Sequence, residues 1–162
     1  MKEYGALLAD DPAWAERAAA LASRVRDVNE FLAELGPKPG APISIRVTYD
    51  APCHLHHAQR IIDAPLTVLR AIPELEIVPL RGADVCCGGA GIDGVTHPEL
   101  GGAILDEKVA AVRATDADVV VTPNPGCIMQ IGAGLILAGD DRAVLHPIEL
   151  LAESYRRAAH RE

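Results

Sequence analysis

The stretch that decides the fold class is ADVVVTP, residues 117–123 of the 162-residue chain. Its three consecutive valines have the β-branched side chains that favour strands. Its unbroken apolar run is typical of a strand that is buried on both faces. Such strands occur in parallel sheets that carry helices on both sides. The stretch therefore predicts a central strand of an α/β sheet.

Strands and helices alternate on both sides of this stretch. The other three strands are predicted, from their β-branched and apolar residues, at 43–49, 75–80 and 142–146. A helical stretch follows the first strand, and in it Asp63 can cap a short helix. Further helices are predicted at 97–114, 127–139 and 147–161. This alternation predicts an open, mainly parallel four-stranded sheet with right-handed crossovers and helices on both faces.

The N-terminal segment predicts one long helix over residues 11–36. Asp11 is a suitable N-cap, and leucines and valines recur behind it at three- and four-residue steps. The run GPKPGAP at 36–42 ends the helix and indicates a linker. We therefore expect an N-terminal helix with its linker over 1–42 and an α/β cysteine-rich domain over 43–162.

Composition and charge exclude several classes of function. Hydrophobic residues make up 49% of the chain and the net charge is −8, so we expect one sizeable core and no nucleic-acid binding. No apolar run reaches the ~20 residues that a membrane-spanning helix needs, and the first residues lack the layout of a signal peptide. We therefore expect a cytoplasmic protein. In that reducing compartment, four cysteines are more typical of metal ligands or redox thiols than of disulfides.

The four cysteines follow three different predicted strands. Cys53 comes four residues after the first strand, the pair Cys86 and Cys87 begins six residues after the second, and Cys127 comes four residues after the third. Because parallel strands all point the same way, their carboxyl ends meet at one edge of the sheet, where α/β proteins bind ligands. We expect all four sulfurs to gather at this edge.

The loop after the second strand suits a bulky bound group. Gly88 and Gly89 follow the two adjacent cysteines directly, and glycine lets the backbone pass close to such a group. We expect both glycines to line the site. Adjacent sulfurs at Cys86 and Cys87 can bind two metal atoms of one cluster or bridge between them.

The loop after the third strand, NPGC at 124–127, is expected to complete the site. Asn124 can orient the loop through side-chain hydrogen bonds, and we expect Asn124 and Gly126 to line the bound group. A place near a helix N-terminus stabilises a thiolate. On this argument Cys127 should be the most readily ionised of the four thiols.

Two other kinds of site fit the same cysteines. A structural zinc site would use Cys53, Cys86 or Cys87, and Cys127, with a histidine as a further ligand, although the C-x₂₋₄-C spacing typical of such sites is absent. A metal-free thiol–disulfide oxidoreductase would use the sulfurs directly, although C-x-x-C is absent.

Other polar residues near the cysteines are expected to have supporting roles. We expect His54, His56 and His57 at the surface or beside the ligands rather than on a metal. His146 suits a strand-to-helix turn, and Asp50 is interpreted as a turn residue or helix cap.

The cysteine pattern resembles that of the cysteine-rich CCG domain family, written C-xₙ-C-C-G-xₙ-C-x-x-C. The matching segments are DAPCHLHHAQR, VCCGGAG and TPNPGCIMQI, and the resemblance extends over essentially the whole chain. It is most similar to the branch found in the C-terminal part of the iron–sulfur subunit of glycolate oxidase. Gln130 stands where the family pattern has its last cysteine, so a fifth ligand is missing.

The resemblance implies an iron–sulfur electron-transfer module in which Cys53, Cys86, Cys87 and Cys127 hold a [4Fe–4S] cluster. It also implies a part of an oxidoreductase complex, rather than a complete enzyme, that oxidises a 2-hydroxy acid such as glycolate. The implied partners are a flavin-containing oxidase subunit and the family's N-terminal iron–sulfur half, in a complex that can lie against the inner membrane. The chain is then a stand-alone homologue or one domain of a larger subunit, whose exposed apolar face should favour self-association.

Overall fold

The computed structural model describes residues 1–160 and contains the parallel sheet that the sequence predicts. The strands are β1 (Arg46–Tyr49), β2 (Glu76–Val78), β3 (Val119–Val121) and β4 (Ala143–Leu145). All neighbouring strands are parallel, and they lie in the order β2-β1-β3-β4. The order changes direction between β1 and β3, and in open α/β sheets this switch point is where a crevice for ligands forms. The α/β fold class is confirmed.

The helices flank the sheet along the chain. They are α1 (Tyr4–Leu7), α2 (Ala15–Ala22), α3 (Val28–Leu35), α4 (Ala64–Arg70), α5 (Ile92–Thr96), α6 (Pro98–Arg113), α7 (Pro125–Leu137) and α8 (Pro147–Ala159), with a π-helix at His54–Ala58. Each of α6, α7 and α8 begins and ends within two residues of its predicted bounds. The short α1 and α5 were not predicted, because four or five residues are too few to show a hydrophobic period. The π-helix lies in the helical stretch that the sequence predicts after the first strand.

The three valines of β3 pack into the cores on both faces of the sheet. Val120 packs in a core with residues of α6 and α7, among them Val112 and Ile131. Val119 and Val121 contact the opposite core, to which α4 and α8 contribute. Successive strand residues point to opposite faces, so an uninterrupted apolar run is what a strand between two helical layers requires. The prediction of a doubly buried strand is confirmed.

The predicted long N-terminal helix is wrong. The chain forms two short helices instead, α2 and α3, separated by residues 23–27. Asp27 begins α3 as an N-cap, since its carboxylate accepts from the Asn29 N–H at 2.8 Å, while the Glu30 carboxylate accepts from the Asp27 N–H at 3.1 Å. This reciprocal capping box starts a new helix. It outweighs the apolar repeat that suggested one continuous helix.

The segment at 36–42 has neither helix nor strand and is held against α8. The Ala41 N–H donates to the Ser154 carbonyl at 3.0 Å, and the Ser154 hydroxyl donates to the Ala41 carbonyl at 2.6 Å. Both residues are buried.

Within residues 1–160, none of the helices combines the length and the apolar character needed to cross a membrane.

Candidate metal centre

The four cysteines lie in one cleft at the carboxyl ends of β1, β2 and β3. The cleft has a volume of about 470 Å³ and is lined by the following residues: Pro52, Cys53, His54, Cys86, Cys87, Gly89, Ala90, Gly91, Asn124, Gly126, Cys127, Met129 and Gln130. The strand order explains the convergence, because β1 lies between β2 and β3 and its loop therefore runs between the other two. Which of the cysteines bind a metal stays a prediction.

The sulfurs divide into a buried pair and a more open pair. Cys87 and Cys127 are buried, and their Sγ atoms lie 3.2 Å apart in a hydrogen bond. Cys53 and Cys86 are half-buried, and the Gly88 N–H donates to Cys86 Sγ at 3.4 Å. Two thiolates on one tetrahedral metal, at about 2.3 Å each, lie about 3.8 Å apart. The buried pair therefore needs only a small side-chain rotation to share a metal atom.

The donor set fits a metal group that prefers sulfur. Thiolates are soft ligands that suit zinc and iron–sulfur clusters, and all four cysteines have free thiols. Carbon-rich lining such as Met129 and Ala90 places apolar atoms around the cleft, and such surroundings tune a metal centre. The residues present therefore fit an iron–sulfur group or a zinc ion.

The electrostatics of the buried pair correct one expectation. The Cys127 thiol can donate to a thiolate at Cys87, and with help from the Gly89 N–H this lowers the pKa of Cys87 to about 6. The same hydrogen bond, together with burial and repulsion by the Cys87 thiolate, raises the pKa of Cys127. The shared hydrogen bond therefore favours a thiolate at Cys87 and a thiol at Cys127, the reverse of the order that the helix N-terminus predicts. Close contact between two sulfurs outweighs the helix N-terminus.

Asn124 holds the Cys127 loop as the sequence predicts. It is the N-cap residue of α7, and its side-chain oxygen accepts from the Cys127 N–H at 3.2 Å. A Cβ at Gly126 would lie 3.0 Å from that oxygen, so a side chain there would crowd the cap. Both residues also line the cleft.

Gly88 is required by the path of its loop. Its φ of +85° lies in the left-handed region, and a Cβ there would lie 2.2 Å from the Gly101 carbonyl oxygen in α6. Gly89 is different, since a Cβ would meet Cys87 Sγ and Gln130 at an ordinary 3.6 Å. The two glycines, both predicted to line the site, thus differ. Gly89 lines the cleft, whereas Gly88 lies outside its lining and is instead demanded by packing between the cysteine loop and α6.

Replacing Gly88 with alanine should destabilise the fold by roughly 1–3 kcal/mol, the range for backbone strain and overpacking. Gly102→Ala in α6 is the matched control, because a Cβ at Gly102 meets nothing within 4 Å. Alanine is more stable than glycine within a helix by about 0.5–1 kcal/mol, so this variant should not be destabilised. Urea unfolding of both variants measures the difference. Equal stabilities would show that the loop and α6 can separate freely.

A buried ion pair lies beneath the site, and it corrects the interpretation of Asp50 as a turn residue or cap. Asp50 Oδ1 lies 2.7 Å from Lys108 Nζ, with side-chain exposures of 1% and 2%. Burial raises the pKa of Asp50, and the ammonium of Lys108 opposes that rise. A charged pair this deeply buried is stable only when both partners are present.

The ion pair joins all three cysteine loops. Asp50 directly follows β1 and leads into the Cys53 loop. Lys108 donates to the Gly82 carbonyl at 2.7 Å, in the loop that leads to Cys86. The Thr122 hydroxyl, at the end of β3, donates to Asp50 Oδ2 at 3.1 Å. Sequence reasoning missed Lys108, although a lysine between Leu105 and Val112 interrupts the apolar stripe of α6 and is a usable signal.

The histidines occupy different places. His54 is exposed but lines the cleft beside Cys53, whereas His56 and His57 are not part of the cleft lining. His146 caps α8, where its Nδ1 accepts from the Ile148 N–H at 3.2 Å. The interpretation of His146 as a strand-to-helix turn is confirmed.

Comparison with known proteins agrees with this geometry. Residues 47–132, which include all four cysteines, match the model of the cysteine-rich CCG domain. The chain is 39% identical, over 95% of its own length and 36% of the relative's, to a probable glycolate oxidase iron–sulfur subunit of Bacillus subtilis. It is 35% identical, over 93% of its length and 64% of the relative's, to lactate utilization protein A of Bacillus licheniformis. A lactate utilization protein A of an Exiguobacterium species is 32% identical over 98% of the chain and 65% of the relative.

The chain spans between about a third and two thirds of the length of these curated relatives. The family model covers more than half of the chain. The segments DAPCHLHHAQR, VCCGGAG and TPNPGCIMQI carry the four cysteines that line the cleft. On the evidence of the sheet, the cysteine cleft and these similarities, the chain belongs to the cysteine-rich CCG domain family.

Proposed function

We propose that this chain is an iron–sulfur electron-transfer module of a system that oxidises a 2-hydroxy acid such as glycolate or lactate. The observation that carries the proposal is the meeting of four free thiols from three loops in one cleft. Relatives named as a glycolate oxidase iron–sulfur subunit and as lactate utilization proteins support a role in the oxidation of a 2-hydroxy acid. The module would pass electrons and leave substrate oxidation to another subunit.

The residues proposed to hold a [4Fe–4S] cluster are Cys53, Cys86, Cys87 and Cys127. When bound, such a cluster accepts and releases one electron at a time, and its potential is set by hydrogen bonds to sulfur and by burial. The chain supplies both influences: the Gly88 N–H donates to Cys86 Sγ at 3.4 Å, and Cys87 and Cys127 are buried. Gly89, Asn124 and Gly126 are proposed to line the group.

The proposed partners are a flavin-containing oxidase subunit and the N-terminal iron–sulfur half that the family resemblance implies. Four large apolar side chains near the cleft or on the helices beside it are mostly exposed: Ile92 (73%), Val95 (75%), Leu100 (62%) and Met129 (75%). Exposed apolar groups of this kind mark interaction surfaces. We propose that a partner, or a second copy of the chain, covers them, in a complex in the cytoplasm.

The function is tested by reconstituting the purified protein with iron and sulfide under anaerobic conditions. We expect a brown protein with broad absorption near ~400 nm from thiolate–iron charge transfer, and a signal in electron paramagnetic resonance in one of its two redox states. A Cys87→Ser/Cys127→Ser variant is the control and should bind little iron. About one zinc per chain with no iron after reconstitution would instead favour the structural zinc site. A protein that binds neither metal and reversibly forms a disulfide would favour the thiol oxidoreductase.

A further inference from the structure

A second group of metal-binding side chains lies beside the cysteine cleft but outside its lining. His56 and His57 come from the π-helix at His54–Ala58, and Asp84 comes from the loop after β2. One ligand atom from each of the three residues lies within 4.8 Å of the others. The two imidazole rings stand edge to face with centroids 4.7 Å apart. Three donors from two separate segments therefore converge on one point of the surface.

The local backbone brings the two histidines together. The Gln59 N–H donates to the His54 carbonyl at 3.1 Å, which is the i→i+5 bond of a π-helix. Such single π-turns are rare and are frequently found at functional sites. The neighbouring strand loops are also joined, since the Ala51 N–H donates to the Ala83 carbonyl at 2.8 Å. This bond places Asp84 beside the π-helix.

The hydrogen bond of His57 prepares its ring for a metal. His57 Nε2 lies 3.0 Å from the Asp84 carbonyl oxygen, and because a carbonyl only accepts, Nε2 must carry the proton. In the neutral imidazole this leaves Nδ1 as the ring nitrogen that can bind a metal. A ring nitrogen that donates to a backbone carbonyl, leaving the other nitrogen for the metal, is the usual arrangement of metal-binding histidines.

We propose that His56, His57 and Asp84 bind one divalent transition-metal ion, with Zn²⁺ as the best match. Two imidazoles and a carboxylate, with water in the fourth position, form a recurrent zinc donor set. Zinc ligands at about 2.0–2.1 Å stand about 3.4 Å apart in a tetrahedron, so the ligand atoms, which lie within 4.8 Å of one another, need to close by at most about 1.4 Å. His57 and Asp84 are exposed and His56 is half-buried, which leaves room for that rotation.

The bound ion would join the two loops that carry three of the cysteines. The π-helix directly follows Cys53, and Asp84 precedes Cys86 by two residues. A ligand that binds only the folded arrangement stabilises it in proportion to its occupancy. This site goes beyond the proposed electron-transfer function and does not depend on which group the cysteines hold.

Cobalt(II) and zinc titrations of the full chain test the proposal, because cobalt spectra separate the two sites. Cobalt on thiolates gives intense sulfur-to-metal charge-transfer bands, whereas cobalt on imidazole and carboxylate gives only weak ligand-field bands. We expect wild type to bind one ion more than the His56→Ala/His57→Ala variant, and only the weak bands to disappear in that variant. Asp84→Asn should weaken this binding at least about tenfold, and His97→Ala, which alters an exposed histidine elsewhere, should leave it unchanged.

Equal zinc stoichiometry in wild type and the double-histidine variant would overturn the proposal. So would zinc affinity in Asp84→Asn that matches wild type. Circular dichroism in the presence of a chelator checks that each variant is folded. If the double-histidine variant does not fold, Asp84→Asn decides the matter by itself, because its carboxylate is exposed and the substitution nearly preserves shape.

Discussion

The variant Lys108→Met is expected to lose about 3–5 kcal/mol of folding free energy, the range observed when one partner of a buried ion pair is removed. The side chains of Lys108 and Asp50 are 2% and 1% exposed, so the remaining Asp50 carboxylate could not regain water. The loss would be a large share of the 5–15 kcal/mol typical of a whole domain. Urea unfolding followed by circular dichroism measures it.

A double-variant cycle separates the lost charge pairing from lost packing. Asp50→Asn/Lys108→Met removes both charges and keeps an acceptor for the Thr122 hydroxyl, which donates to Asp50 at 3.1 Å. We expect the double variant to be more stable than Lys108→Met alone, since replacing a whole buried pair costs far less than breaking it. The exposed Lys38 gives the matched control, and Lys38→Met should change stability by less than about 0.5 kcal/mol. A Lys108→Met protein as stable as wild type would contradict the prediction.

Among single cysteine variants, Cys127→Ser should lose the largest share of iron after reconstitution. Cys86 and Cys87 share one loop, so either can shift toward the position of the other. Cys53 has His54 beside it in the cleft lining as a substitute ligand. The nearest polar side chain on the helix of Cys127 is Gln130, and a neutral amide is a poor ligand for iron. Iron and sulfide analysis under identical reconstitution gives the ranking.

The comparison requires that each variant remain folded. Cys127 is 8% exposed and packs with the core between α6 and α7, so serine there costs some stability, but it nearly preserves the side-chain volume. Circular dichroism before reconstitution identifies any variant that has unfolded. Equal iron in all four single variants, or full iron in a folded Cys127→Ser, would contradict the ranking.

Several features could be predicted because they depend on neighbours in the sequence. The VVV run of β3, the proline-started α7 and α8, and the glycine that ends α3 are local signals. From strands of one direction it followed that four cysteines after three strands would meet at one edge. The long N-terminal helix is wrong for an equally local reason, since the apolar repeat runs across the capping box at Asp27 and Glu30, which starts a new helix.

The rest could not be predicted because it depends on contacts between residues far apart in the chain. The buried partner of Asp50 lies 58 positions away, at Lys108, and the thiol that changes the ionisation of Cys87 lies 40 positions away, at Cys127. Neither the charge pair nor the coupled pKa can be inferred from the spacing of residues along the sequence. Both depend on distances of about 3 Å in the folded chain and on the exclusion of water.

The sequence by itself determined the fold class, the four strands, helices α6, α7 and α8, and the edge of the sheet where the sulfurs meet. These follow from hydrophobic period and from the geometry of parallel strands. Tertiary structure alone decided which two sulfurs share a hydrogen bond, which glycine the loop packing requires, and which charges lie buried beneath the three loops. Those properties depend on angstrom-scale contacts across the folded chain, because electrostatic and packing energies change steeply over such distances.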